Sequence, residues 1–133
     1  MISWKEMLKG NDEKDIPQEH IENMKDLLIK INKIREAYNK PMSPTSVYRT
    51  KAKQIEVYKT KGITDINKIP MSSMHLSGRA LDIADPNGEL WKWTKDNVAL
   101  LEEIGLWVED DPSTPRVHYQ TKPPNSGNRF FKP

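Results

Sequence analysis

At 133 residues, 35% of them hydrophobic, the chain is sized for one domain with its own core and is too short for two. Its 21 basic and 19 acidic residues nearly cancel to a formal net charge of +2, which argues against a nucleic-acid or membrane-surface partner. Cysteine is absent, so disulfides and thiolate metal sites are excluded, and any metal has to be held by His, Asp or Glu.

The N-terminal stretch MISWKEMLKGNDEKD has no apolar core of signal-peptide length, and nothing after it approaches bilayer-spanning length. The expectation is a protein made and folded in a reducing cytoplasm. From Pro17 to about Asn39, apolar residues recur at Ile21, Met24, Leu27, Leu28, Ile31 and Ile34, which predicts an amphipathic helix with Pro17 in its first turn. Pro41 and Pro44 break the pattern. The segment SVYRT that follows is short and β-prone, and TKAKQIEVYKTKG reads as a second helix ending near Gly62.

A loop through Asn67 and Pro70 leads into SMHLSGRALDIAD, residues 73–85. In ALDIA, Leu81 and Ile83 alternate with Ala80, Asp82 and Ala84, as in a strand with one face on the core, so Asp82 points away from that core between two small residues. After a turn at Asp85–Gly88, a third helix is expected over about Glu89–Ile104, with Leu90, Trp93, Val98, Leu101 and Ile104 inward and Gly105 as C-cap. Two strands follow, LWVE and RVHYQT. In the second, Val117 and Tyr119 share one face while Arg116, His118 and Gln120 share the other. His118 therefore faces the same kind of polar surface as Asp82. The tail PPNSGNRFFKP is irregular, with Phe130 and Phe131 packing back onto the domain.

The fold expected from these elements is α+β, a small antiparallel sheet packed against about three helices. The chemistry is expected from His75, Asp82 and His118. Two histidines and one carboxylate form a three-ligand zinc site with the fourth tetrahedral position left open, the pattern of catalytic rather than structural zinc. Gly78 lets the backbone turn between the first two ligands, and Ala80 keeps the approach clear. On residue type alone, the same histidines fit a half-exposed polar sheet face, and the third histidine, His20, lies in a charged helix and is expected to be solvated.

The full pattern S-x-H-x-x-G-x-A-x-D favours the metal site. It is filled by Ser73, His75, Gly78, Ala80 and Asp82 and followed downstream by the strand-borne pair Val117–His118. This pattern resembles the signature of the zinc D-alanyl-D-alanine peptidases, a family of carboxypeptidases, dipeptidases and phage endolysins that cut peptidoglycan stem peptides; the hedgehog signalling domain shares its fold. The resemblance covers about residues 45–120, and the ending HYQTKPPNSGNRFFKP resembles that of small phage-encoded members.

The length predicts one domain over residues 1–133, and the resemblance implies that this is a zinc peptidase domain with Zn2+ held by His75, Asp82 and His118. It implies a peptidoglycan peptide as substrate; a monomer is expected, and the near-neutral charge leaves no nucleic-acid or membrane partner expected. Ser73 matches a motif serine that lies close to substrate, and Arg49 matches an arginine that binds a substrate carbonyl or carboxylate, a task suited to a guanidinium's paired donors. The family commonly places an acid or a histidine a few positions before the last ligand. Here Ser113, Thr114 and Pro115 stand there, so the general base is expected among Glu109, Asp110 and Asp111, with Glu109 first. Without a base, the same ligands would make a zinc-binding interaction module. A phage lysin or virion-borne peptidase would reach the bacterial wall without a signal peptide.

Overall fold

The computed structural model describes residues 1–71 and 73–132. Among these are five α-helices and five strands, and the sheet runs in the order β1-β2-β4-β3-β5. The strands are β1 (Pro44–Ser46), β2 (Ala80–Ala84), β3 (Trp107–Glu109), β4 (Arg116–Gln120) and β5 (Phe130–Phe131). The fold is α+β as expected, but the sheet is mixed. β5 runs parallel to β3, whereas the other neighbours are antiparallel. The tail is thus not irregular throughout, because residues 130–131 extend the sheet edge.

The first helix, α1 (Trp4–Leu8), has no counterpart in the apolar pattern, since five residues are too few to show a period. Its local signal is a capping box. Ser3 accepts the Glu6 N–H, and the Glu6 carboxylate accepts from Ser3. Helix α2 (Gln18–Tyr38) begins one residue after Pro17, which is its N-cap, and ends at Asn39 in the left-handed conformation. Its stripe Ile21, Met24, Leu27, Ile31 and Ile34 is buried in one cluster with Leu81, Ile83, Val117 and Tyr119 of the sheet.

The segment SVYRT is mostly not strand. Only Ser46 lies in β1, and Thr50 caps α3 (Lys51–Thr60) by accepting the Lys53 N–H. The helix expected over Glu89–Ile104 is two, α4 (Glu89–Asp96) and α5 (Val98–Ile104). Asn97 causes the break. Its side-chain amide donates to the Trp93 carbonyl at 2.7 Å, displacing its own N–H to Thr94. The phase shift leaves Val98 38% exposed rather than in the core. Upstream, both oxygens of Asp85 cap α4, accepting the N–H groups of Leu90 and Trp91 at 3.0 and 2.8 Å. No helix among the described residues is long and apolar enough to cross a membrane.

Candidate metal centre

β2 and β4 are central neighbours, and their register sets Asp82 directly opposite His118. The same transverse row continues outwards. Ser46 is the β1 partner of Asp82, the β3–β4 register carried on by one residue brings Glu109 beside His118, and Phe131 is the β5 partner of Glu109. Directly opposed residues share a face of the sheet, so the row groups side chains that the sequence scatters over 86 positions. The positions flanking Asp82 on that face are Ala80 and Ala84, opposite Gln120 and Arg116, and their small side chains leave room for these longer ones.

His75 arrives from outside the sheet. Residues Met74–Ser77 form a 3-10 turn whose first N–H groups are capped by Ser73, its Oγ accepting from His75 at 3.3 Å. Gly78 closes the turn with φ +76, and a Cβ there would stand 2.6 Å from Met24 Cγ and 2.8 Å from the His20 carbonyl. The glycine is therefore needed twice, for the left-handed backbone and for the close seat on α2. His20 is half-buried rather than solvated, sharing a hydrogen bond of 3.1 Å with the Tyr48 hydroxyl.

His75, Asp82 and His118 can hold a metal ion: one donor atom from each lies within 4.8 Å of the others. The hydrogen bonds behind them orient the two rings towards Asp82. Nδ1 of His75 donates to the Val47 carbonyl at 2.7 Å, which leaves Nε2 as a lone pair 3.5 Å from Asp82 Oδ2. Gln120 donates its amide to the Lys122 carbonyl at 2.7 Å and so turns its oxygen to Nε2 of His118 at 2.9 Å. With Nε2 donating there, Nδ1 of His118 becomes a second lone pair, 2.9 Å from Asp82 Oδ1. Two ring lone pairs therefore face one carboxylate, acceptor against acceptor, and only a shared proton or metal ion between them makes that favourable. Ligand bonds of about 2.1 Å in a tetrahedron separate donors by about 3.4 Å, close to the His75–Asp82 spacing.

Without a metal, a proton shared by His118 and Asp82 takes that place. Burial alone would raise the Asp82 carboxyl, but hydrogen bonds from His118 and His75, with their charge, outweigh it and hold the group well below the usual carboxylate range. Burial likewise works against a charged His118, yet the bond to Asp82, the Asp82 charge and the bond to Gln120 leave its pKa raised. A metal binding here must displace that proton.

A cavity of about 480 Å³ opens over the three residues and is also lined by Arg49, Ser73, Glu109 and Arg116. Of the three acidic candidates, only Glu109 reaches it, with Oε2 3.9 Å from His118 Nδ1. Asp110 pairs with Lys95 and Lys132 at 3.9 and 3.5 Å, and Asp111 is taken up by Ser113; neither lines the cavity. The Arg49 guanidinium is braced by Gln54 Oε1 and Ser46 Oγ, both at 2.7 Å, and Gln54 is itself anchored on the Pro70 carbonyl.

Four contributors are not marked as site residues by the sequence: Ser46, Gln54, Arg116, whose Nε lies 3.3 Å from Asp82 Oδ2, and Gln120. Arg116 and Gln120 were visible as the i−2 and i+2 companions of His118 on a strand; nothing local marked Gln54. The Phe131 ring meets that of His118 edge-on at 6.2 Å. The chain matches no family model, no curated protein and no solved structure.

Proposed function

We propose that this chain is a zinc-dependent peptidase that cuts the stem peptides of bacterial peptidoglycan, with His75, Asp82 and His118 as the metal ligands. The observation that carries the reading is the grouping of two imidazoles, His75 and His118, on one buried carboxylate, Asp82, with a further carboxylate, Glu109, lining the same cavity. The motif from Ser73 to Asp82, with its resemblance to the zinc D-alanyl-D-alanine peptidases, supports the choice of zinc and of substrate.

A zinc ion held by His75, Asp82 and His118 would supply Lewis acidity and would lower the pKa of a water bound to it. The chain's own residues do the rest. Glu109 accepts the proton of the attacking water at its carboxylate and delivers it to the leaving amine as the peptide C–N bond breaks. Arg49, with its guanidinium fixed by Ser46 and Gln54, holds a substrate carbonyl or carboxylate through its remaining donors, and Ser73 lines the same cavity. Such an enzyme acts on the cell wall, as a phage lysin or virion-borne peptidase does.

The test incubates purified peptidoglycan fragments with the protein, with zinc or with a chelator, and reads the products by mass spectrometry. Zinc-dependent loss of a terminal D-alanine identifies a carboxypeptidase, and release of the stem after its first alanine identifies an endopeptidase. His118→Ala is expected to lose metal and turnover together. Glu109→Gln is expected to keep zinc and lose turnover by about 10²- to 10⁴-fold. Cleavage by metal-free protein would refute the mechanism, and a zinc-loaded protein that cuts neither bond would be a binding module instead.

A further inference from the structure

A second cavity, of about 380 Å³, lies on the other side of the His75 turn and is lined by Lys51, Arg79 and Lys122 together with His20 and Ser73. No acidic side chain lines it among the described residues, and none of the three cations takes part in an ion pair there. That concentration of one sign is unusual for a chain whose charges otherwise nearly cancel.

Three separate elements bring the cations together. Arg79 immediately precedes β2 and Lys122 follows β4, at the paired end of the two strands where the Thr121 N–H donates to the Arg79 carbonyl at 2.9 Å. Lys51 is the first residue of α3, whose opening turn carries Lys51 and Lys53 and no acid. A helix N-terminus favours negative charge, so lysines there act against the stability of the helix. The positive end of the helix adds to the field of the three side chains instead of being neutralised.

Ser73 lines both this cavity and the one over the metal ligands. A ligand extended through the metal cavity therefore passes Ser73 into the basic groove. We propose that Lys51, Arg79 and Lys122 form an anion-binding subsite that holds a carboxylate of an acidic peptide whose adjoining residues occupy the metal cavity. The choice of a peptide rests on the function proposed above, whereas the preference for an anion rests on the groove alone. The subsite would make the protein select acidic over neutral chains at a distance from the bond it cuts, through interactions weakened by salt.

The test titrates the full chain, dialysed free of metal, with acetyl-tetraglutamate amide and with its uncharged isostere acetyl-tetraglutamine amide at low salt, following backbone amide signals by NMR. Tetraglutamate is expected to shift the amides of Lys51, Arg79 and Lys122, and tetraglutamine is expected to leave them in place. The variant Lys51→Gln/Arg79→Gln/Lys122→Gln should weaken tetraglutamate binding about tenfold, and Lys51→Gln/Lys122→Gln, which keeps the half-buried Arg79, should weaken it in the same direction. Lys5→Gln/Lys33→Gln/Lys59→Gln removes as much charge from exposed positions outside the groove and should change binding little. Equal weakening by both triple variants, or shifts confined to Arg49 and Arg116, would overturn the subsite. Failure of the zinc-loaded protein to cut wall fragments would overturn the peptidase reading and leave this titration unaffected.

Discussion

Nε2 of His118 donates to Gln120 Oε1 at 2.9 Å, and the Gln120 amide is held in that orientation by the Lys122 carbonyl at 2.7 Å. This arrangement decides which imidazole nitrogen faces Asp82, because the proton held by Gln120 leaves Nδ1 free to ligate. Gln120→Ala removes the acceptor, lets the ring choose either tautomer, and is expected to weaken zinc binding about tenfold or more. Gln120→Glu keeps an acceptor and should retain most of the affinity. A competition titration against a chromogenic chelator reads both variants, and an alanine variant that binds as tightly as the parent would remove Gln120 from the site. Alternation along RVHYQ places Gln120 on the His118 face, but its role depends on the side-chain amide's orientation, which Lys122 sets from beyond the strand. Glu109 was legible as the first of three acids because a strand ends there, and it was separated from Asp110 and Asp111 only by which of them the cavity reaches.

Where periods are long, the elements follow the sequence closely. The apolar stripe of α2 is buried as its spacing predicts except at Leu28, which is half-buried against the core, and β2 and β4 carry Leu81, Ile83, Val117 and Tyr119 inward by simple alternation. Short elements depart from the pattern because one side-chain bond can redirect them, as at Asn97 between α4 and α5 or Ser3 ahead of α1. The turn carrying His75 joins both regimes, since its shape is local while its position is set by α2. A methyl group at Gly78 would press on the His20 carbonyl at 2.8 Å, and a helix backbone cannot yield there as a side-chain tip could. The positive φ adds strain of its own. Gly78→Ala is therefore expected to destabilise the fold by about 1–3 kcal/mol, visible in urea unfolding, and to weaken zinc binding because His75 rides on the same turn. An alanine variant with unchanged midpoint and unchanged metal affinity would show that the turn is not seated as described.

Across the whole molecule, the site depends on register. Alternation in the sequence states which face of a strand a residue occupies, but only the pairing of β2 with β4 and of β4 with β3 states that Asp82, His118 and Glu109 lie in one row. The grouping of the three candidate ligands is thus a property of the folded sheet and of the turn seated beside it, and the unfolded chain offers little in its place: three histidines scattered over 99 positions, and no cysteine. A metal that binds the native state and hardly binds the unfolded one stabilises the fold by mass action, by about 2.7 kcal/mol at a free concentration one hundred times Kd. For a chain of 133 residues this corresponds to a rise in thermal midpoint of about 10 °C. The rise should grow with the logarithm of zinc concentration and vanish in His118→Ala. The same variant should still unfold cooperatively, since His118 lies on the polar face while its strand neighbours Val117 and Tyr119 hold the core. An equal rise in that variant would place the zinc elsewhere on the protein, and no rise in the parent would mean that the paired lone pairs on Asp82 are satisfied by protons alone.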